Sequence, residues 1–164
     1  MTDAVPTCPY CGSAAQLLLD SSTLYRGRDY GPLWVCAPCD ARVGCHPGTT
    51  RPLGRLANAE LRSAKMAAHR VFDPLWMVLR DAYPELLAPA RKHRGIARMR
   101  AYRWLAEQLH IPLAECHIGL FDVALCRRTV EVIQRSQPTS GTIRAWAKEL
   151  QSNSDTSVQP DIRG

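Results

Sequence analysis

The chain has 164 residues and a mass of 18.3 kDa, enough for one ordinary domain, or for a small domain with a metal-stabilised module. Apolar residues make up 46% and charged residues 22%, as in soluble globular proteins. No apolar run reaches the roughly 18 residues that a membrane helix needs. Because the first residues also lack a charged-then-apolar signal pattern, we expect a cytoplasmic protein with no membrane partner.

The formal net charge of +6 is unevenly distributed along the chain. Residues 51–110 contain twelve basic and five acidic residues, a net charge of +7. Residues 1–50 carry a net charge of −1, and residues 111–164 carry none. Such asymmetry favours an anionic partner, and nucleic acid is the first candidate.

Short strands are predicted in the first 50 residues, within a block rich in Cys, Gly and Pro. Turn-forming residues separate them, notably Asp20-Ser21-Ser22 and the Gly27–Gly31 segment. The predicted strands are Gln16–Leu19, Thr23–Arg26, Leu33–Cys36 and Ala41–Gly44.

The pattern becomes helical from residue 56 onward. Asn58, Asp73 and Asp122 each precede an apolar-periodic segment and are predicted to be N-caps; Pro74 fits the first position of a helix. The polar residues 151–164 are expected to be a disordered tail. The predicted helices are Ala59–Val71, Asp73 to about Tyr83, about Ile96–Leu109, Asp122 to about Gln134, and a short Thr142–Leu150.

The clearest chemical signal is a pair of CxxC motifs separated by 24 residues. Two residues between cysteines form a tight turn that directs both sulfurs toward one ion, and two such turns supply a closed tetrahedral Zn²⁺ site. We therefore predict one structural Zn²⁺ in a zinc ribbon over residues 8–50, since a block of this size has too small a core to fold unaided. The predicted ligands are Cys8, Cys11, Cys36 and Cys39.

Zinc binding changes the electrostatics of the ribbon. Four thiolates and one Zn²⁺ together contribute about −2, which lowers the whole-chain charge to about +4 and gives the ribbon about −3. A redox role for the CxxC pairs is disfavoured, because no alternating strand–helix pattern surrounds either pair. The ribbon is accordingly a poor candidate for binding phosphates.

Other Cys and His residues leave the possibility of a second metal site or a Cys/His enzyme open. The spacing from Cys116 to Cys126 is no recognisable ligand pattern, and Cys126 falls on an apolar helix face. A zinc-bearing nuclease that places its catalytic His between the CxxC pairs is disfavoured, since no His lies between Cys11 and Cys36. We expect no catalytic residues and no small-molecule substrate. The residues that a second site would use are His46, His69, Cys116 and His117.

The basic segment, residues 91–103, contains six Arg or Lys residues, and no acid lies between Glu85 and Glu107. Arginine outnumbers lysine five to one, which suits bidentate phosphate contacts. Tyr102 and Trp104 adjoin it and could stack on bases; the alternative is a solvated cationic helix face. The predicted nucleic-acid-binding residues are Arg91, Lys92, Arg94, Arg98, Arg100 and Arg103.

Several phrases spread over residues 8–134 resemble a family of small zinc-finger-containing proteins of bacteriophages and bacteria. They include Tyr30-Gly31-Pro32-Leu33-Trp34-Val35-Cys36, Phe72-Asp73-Pro74-Leu75-Trp76 and Ala101-Tyr102-Arg103-Trp104-Leu105-Ala106. The family's Arg-Leu-Ala phrase corresponds to Arg55–Ala57, and its His-Ile-Gly phrase to His117–Gly119. The resemblance implies the zinc ligands named above and no established activity. Its phage association implies a role in DNA metabolism or in host takeover.

Together these observations predict an α+β protein: an N-terminal zinc ribbon of short antiparallel strands packed on a mostly helical C-terminal part, residues 56–135, with a basic helix–loop–helix segment. We expect a non-enzymatic, zinc-binding protein that binds nucleic acid, DNA rather than RNA. The alternative is an adaptor or inhibitor that acts on a host protein, such as a phage counter-defence factor.

Overall fold

A computed structural model describes residues 5–82, 93–138, 141–143 and 145. It confirms the predicted class, a small antiparallel sheet near the N-terminus followed by a mostly helical part. None of the helices in the described part of the chain combines the length and apolar character needed to cross a bilayer. The elements are β1 (Gln16–Leu18), β2 (Leu33–Cys36), a 3₁₀ turn (Ala37–Cys39), β3 (Ala41–Gly44), α1 (Ala59–Ala82), α2 (His93–Leu109) and α3 (Val123–Ser136).

The sheet has the order β1-β2-β3, and both strand pairs are antiparallel. Trp34 lies at its centre, opposite Leu17 on one side and Val43 on the other. Its indole Nε1 donates a hydrogen bond to the carbonyl oxygen of Thr50 at 2.7 Å, which satisfies the polar atom of an otherwise buried ring. Three of the four predicted strands are thus confirmed.

The fourth predicted strand, Thr23–Arg26, is wrong, because this segment forms successive turns. Ser22 accepts hydrogen bonds at its carbonyl oxygen from the amides of Tyr25 and Gly27, at 3.2 and 2.9 Å. The φ angles of Arg26 and Gly27 are +53° and +87°, in the left-handed region that an extended strand cannot use. The segment contains the β-branched and aromatic residues typical of a strand, but its hydrogen bonds and left-handed φ angles make it a series of turns.

Contacts divide the chain into two compact units. The sheet unit comprises residues 1–66 and 117–126, and the helical unit comprises residues 67–116 and 127–164. The predicted boundaries at 8–50 and 56–135 stay predictions. The predicted tail at 151–164, and most of the predicted helix at 142–150, lie outside the described residues.

Helix α1 replaces two predicted helices, and the predicted cap at Asp73 is wrong. Pro74 lies inside α1, where it removes one backbone hydrogen bond. Asp73 does not cap a helix; its Oδ1 accepts a hydrogen bond from Trp76 Nε1 at 2.9 Å. Continuing the helix buries Phe72, Leu75, Trp76 and Leu79, and this burial outweighs the cost of the proline.

The helical unit has an aromatic centre in which the rings of Phe72 and Tyr102 lie 4.4 Å apart. The apolar pattern of the sequence predicts a core that contains Trp34, Phe72, Trp76, Leu79, Leu105, Phe121, Leu125 and Val130. The first six are buried, and the prediction is confirmed for them. Leu125 and Val130 are only half-buried, because α3 turns Cys126 and Thr129 inward instead.

Helix α2 ends in a left-handed cap at His110, which has a φ of +55°. The His110 amide donates to the Glu107 carbonyl oxygen at 3.2 Å, and the Ile111 amide donates to that of Ala106 at 3.1 Å. These two bonds satisfy the last carbonyls of the helix, and Pro112 then prevents its continuation. The predicted end at Leu109 is confirmed.

Asp122 caps α3 as predicted, since its Oδ1 accepts a hydrogen bond from the Leu125 amide at 2.8 Å. We expect Asp122→Ala to lower the free energy of unfolding by about 1 kcal/mol, because an amide of the first helical turn loses its acceptor. Urea denaturation followed by circular dichroism measures this loss. Asp122→Asn, which retains the acceptor oxygen, serves as the control, and equal stability of the alanine variant and the wild type would contradict the cap.

Candidate metal centre

The four cysteines of the two CxxC motifs converge on one point of the sheet unit. The Sγ atoms of Cys8, Cys11, Cys36 and Cys39 all lie within 4.8 Å of one another. The Sγ atoms of Cys11 and Cys36 are 3.5 Å apart. Four sulfurs at about 2.3 Å from a tetrahedral ion would be about 3.8 Å apart, so the arrangement fits a metal ion without rearrangement of the backbone.

Local backbone geometry explains why both motifs present their sulfurs inward. In the first motif, the Gly12 amide donates to the Cys8 carbonyl oxygen at 2.9 Å, and Gly12 has a φ of +73°. In the second motif, Cys39 ends the 3₁₀ turn, and Asp40 follows with a φ of +47°. Glycine takes this left-handed conformation without steric cost, and aspartate is among the residues that tolerate it.

The thiols of the cluster differ in acidity. Hydrogen bonds from Ser13 lower the pKa of Cys11 to about 6. The hydrogen bond with Cys11 and burial raise the pKa of Cys39 to about 12, and burial also raises the pKa of Cys36. Cys11 is therefore the favoured first ligand, and Cys36 and Cys39 release protons as a metal binds them.

The hydrophobic core around the cluster is small. Cys8 and Cys36 are each 1% exposed and pack with Ala15, Trp34, Ala41 and Leu56. Two of these six buried residues are themselves candidate ligands, so little apolar area remains to stabilise the sheet on its own. A bound ion would supply that stability.

Asp40, directly after the last cysteine, links the second CxxC motif to α1. Its carboxylate accepts hydrogen bonds from Arg62 at 2.8 Å and from Arg42 at 3.3 Å. Arg62 also donates to the carbonyl oxygens of Asp40 and Ala57, at 2.6 and 2.8 Å. The hydrogen bond from Arg62 holds the pKa of Asp40 below its usual value. Sequence reasoning missed this link, since 22 residues separate Asp40 from Arg62 and no spacing rule connects them.

The other Cys and His side chains that the structure describes do not join a second metal cluster. Within the described part of the chain, no other group of three or more His, Cys, Asp or Glu side chains brings its ligand atoms together. Cys45 Sγ contacts the Thr50 carbonyl oxygen at 3.4 Å, and His46 Nε2 contacts Arg51 at 3.4 Å. His69 Nδ1 lies 3.4 Å from the Asp73 carboxylate.

The isolated cysteines are poorly suited to nucleophilic catalysis. Burial raises the pKa of Cys116 and of Cys126 to about 11 each. Both thiols are therefore protonated near neutral pH, whereas a catalytic cysteine requires the thiolate. Exposed His117 uses Nδ1 to accept a hydrogen bond from the Gly119 amide at 3.1 Å, which shapes its own turn.

Two segments far apart in sequence meet at Gly54 and Gly119 in the sheet unit. A Cβ atom at Gly54 would overlap the carbonyl oxygen of Gly119 and lie 2.7 Å from its carbonyl carbon. The same oxygen accepts hydrogen bonds from the Arg55 amide at 3.3 Å and from Lys65 Nζ at 2.7 Å. Burial lowers the pKa of Lys65. The close approach of Gly54 to Gly119 thus brings the Arg-Leu-Ala phrase into contact with the His-Ile-Gly phrase.

The basic segment is only partly described, since Arg91 and Lys92 lie outside the described residues and the side chain of Arg94 does too. The Arg98 guanidinium carbon lies 5.9 Å from the Trp76 ring centroid and 5.8 Å from that of Tyr102. Arg100 is 9% exposed, whereas Arg103 is exposed. Arg103 is therefore the described residue of the segment best placed to meet a phosphate in solution.

Comparison with known proteins places the chain in a family. Residues 4–136 match the zinc-finger-containing domain family DUF3268, and the chain belongs to it. No curated protein and no solved structure matches the chain significantly. Membership supports a metal-binding role for the four-cysteine cluster, which lies within the matched residues.

Proposed function

We propose that this zinc-finger-containing protein holds one structural Zn²⁺ through its four cysteines and binds nucleic acid, preferably DNA, through the basic segment. The observation that carries the proposal is the net charge of +7 over residues 51–110 together with the exposed position of Arg103. Because the affinity of such proteins comes largely from phosphate contacts, a concentrated and accessible positive charge is the property required.

The chemistry of the cluster supports zinc and a structural role. Four thiolate ligands suit Zn²⁺ and leave no coordination position for water or substrate, in contrast to catalytic sites, which keep one open. The other Cys and His residues of the described part form no second cluster. We extend the proposal to a non-enzymatic, cytoplasmic protein that acts in phage-type DNA metabolism. The closed ligand set supports the non-enzymatic role, and the resemblance of the sequence to phage proteins supports the role in DNA metabolism.

Exposed arginine without a competing carboxylate supports the phosphate-binding role. Among described residues, Arg103 forms no ion pair, whereas Arg80 is paired with Asp81 at 2.6 Å. Arg98 is less suitable for a test, since its guanidinium lies over two core aromatic rings and its replacement would also change packing.

We expect the zinc-loaded protein to bind labelled DNA at 50 mM salt with an affinity that falls steeply at 200 mM salt. The double variant R94E/R103E should weaken binding at least several-fold and reduce the salt slope by about 0.9 for each duplex phosphate that the protein no longer neutralises. Fluorescence anisotropy with single- and double-stranded DNA and RNA measures both quantities.

The matched control is the double variant R128E/R135E, which makes the same charge change of −4 at exposed positions of α3 outside the basic segment. Equal losses in R94E/R103E and in R128E/R135E would leave only a nonspecific charge effect and would overturn the assignment to residues 91–103. Absence of binding to all four nucleic acids at 50 mM salt would overturn the proposed function.

A protein-interaction adaptor is the second candidate, favoured by exposed apolar side chains in the helical unit. Met77 and Val78 are adjacent on α1 and exposed, and Met99 is exposed on α2. Exposed apolar residues of this kind occur at protein-binding surfaces. A single stoichiometric protein partner that is retained after nuclease treatment, and no longer binds the Val78→Asp variant, would favour the adaptor.

A further inference from the structure

The loop between β1 and β2, residues 19–32, is a rigid structure rather than a loose connection. Asp29 Oδ1 accepts hydrogen bonds from the amide and hydroxyl of Ser21, each at 3.0 Å, and from the Gly31 amide at 2.8 Å. The Ser21 hydroxyl oxygen in turn accepts a hydrogen bond from the Tyr30 amide at 2.6 Å. These hydrogen bonds join the start of the loop to its end, and Ser21, at their centre, is 1% exposed.

Two tyrosines of the loop lie in a row between two arginines, and this row is here called the arginine–tyrosine ladder. The Arg28 guanidinium carbon lies 4.9 Å from the Tyr30 ring centroid. The Tyr30 and Tyr25 rings meet edge to face with centroids 5.0 Å apart, and Arg42 of β3 lies 5.2 Å from the Tyr25 ring. The ladder therefore consists of Arg28, Tyr30, Tyr25 and Arg42.

The outer part of the ladder faces solvent. Tyr30 is 63% exposed and Tyr25 is 37% exposed, and Arg26 and Arg28 are exposed. A core role does not explain the Tyr30 ring, because a tyrosine held in place while most of its surface stays in water gains little from burial. Arg26 holds a left-handed φ of +53°, a conformation that costs a non-glycine residue free energy and fixes the tip of the loop.

The formal charges of the loop balance, with Arg26 and Arg28 against Asp20 and Asp29, but backbone amides rather than arginines hold the two aspartates. Asp29 is held as a carboxylate by hydrogen bonds from the backbone amide of Ser21, then from that of Gly31, which lower its pKa. Asp20 accepts a hydrogen bond from the Ser22 amide at 2.7 Å. Neither acid forms an ion pair with a described arginine, so neither competes with an anionic ligand for Arg26 or Arg28.

We propose that the arginine–tyrosine ladder binds single-stranded nucleic acid, with a base stacked on Tyr30 and the adjacent phosphates bound by Arg26 and Arg28. This inference rests on the proposed function and adds a second contact, in the sheet unit, with a preference for unpaired bases. Exposed aromatic rings beside arginine are the combination that single-strand-binding surfaces use, since every base has a face that can stack. A duplex offers no unstacked base to such a ring, so its binding should depend on the ladder much less.

The test compares Tyr30→Ala and Tyr30→Phe in the zinc-loaded full chain, with a labelled 20-nucleotide oligo-dT and a labelled duplex of 20 base pairs. We expect Tyr30→Ala to weaken oligo-dT binding about tenfold, to change duplex binding less than twofold, and Tyr30→Phe to retain wild-type affinity. Arg28→Ala should weaken oligo-dT binding several-fold. Equal zinc content and circular dichroism of all variants would establish that they fold.

Leu19→Ala is the matched control, since Leu19 belongs to the same loop and is 70% exposed but has no aromatic ring. Unchanged oligo-dT affinity in Tyr30→Ala and Arg28→Ala, with binding still sensitive to R94E/R103E, would overturn the ladder and leave the proposed function standing. Equal losses for oligo-dT and duplex would reduce the ladder to a general charge contact and overturn the single-strand preference. If the wild type binds neither nucleic acid, both proposals fail.

Discussion

Replacing Cys36 with serine is expected to abolish stoichiometric zinc binding and to unfold the sheet unit. Cys36 is 1% exposed, and its Sγ lies 3.5 Å from that of Cys11. Among the described residues, no fifth His, Cys, Asp or Glu belongs to the cluster and could replace it as a ligand. The apparent free energy of zinc binding to small zinc modules is about 10–16 kcal/mol, comparable with the whole stability of a domain. The few buried residues around the cluster cannot compensate for that loss.

The measurement is the zinc-to-protein ratio, together with hydrogen exchange of amides in the three strands. Cys45→Ser is the matched control, because Cys45 packs against the same core but its sulfur contacts the Thr50 carbonyl oxygen and lies outside the four-sulfur cluster. A chelator should reproduce the effect of Cys36→Ser in the wild type. Full zinc content in Cys36→Ser, or strand protection that survives chelation, would contradict a structural metal.

Gly54→Ala is expected to destabilise the sheet unit by about 3 kcal/mol, the upper end of what overpacking usually costs. The added Cβ would meet the backbone of Gly119, and backbone cannot move aside as a flexible side chain can. Separating the two segments would also disturb the Gly119 carbonyl oxygen, on which Arg55 and Lys65 depend. Urea denaturation of the zinc-loaded protein measures the change.

Gly95→Ala, at a glycine of α2, is expected to change stability in the opposite direction. A Cβ there meets nothing within 4 Å, so the substitution should raise the stability of the helix by about 0.5–1 kcal/mol through its better helix propensity. If both substitutions had the same effect, the close approach of Gly54 to Gly119 would not be a determinant of stability.

The metal cluster could be predicted from sequence because its geometry is mostly local. Two residues between cysteines fix the distance between two sulfurs whatever the rest of the chain does, and a metal ion then joins the two pairs. The N-caps Asn58 and Asp122 were predictable for the same reason, since a cap acts within three residues; each accepts the expected amide hydrogen bond, at 2.9 and 2.8 Å.

The errors arose where tertiary contacts overrode local signals. Asp73-Pro74 has the sequence of a helix start, yet the burial of Phe72 and Trp76 on either side continues one helix through it. Thr23–Arg26 has the composition of a strand, yet the Asp29–Ser21 network fixes turns instead. The pairing of Gly54 with Gly119 spans 65 residues, and no periodicity or spacing in one sequence can reveal it.

The division of the sheet unit between two distant stretches of chain affects how the protein is made. A ribosome completes all four candidate ligands by residue 39, but residues 117–126 of the same unit follow much later. At 5–20 residues per second, the interval between residues 66 and 126 lasts roughly 3–12 s. During that time Lys65 has no Gly119 carbonyl to bind, although metal can already be captured. A fragment cut after residue 66 would therefore resemble a nascent intermediate, metal-loaded but incomplete, rather than an independent domain.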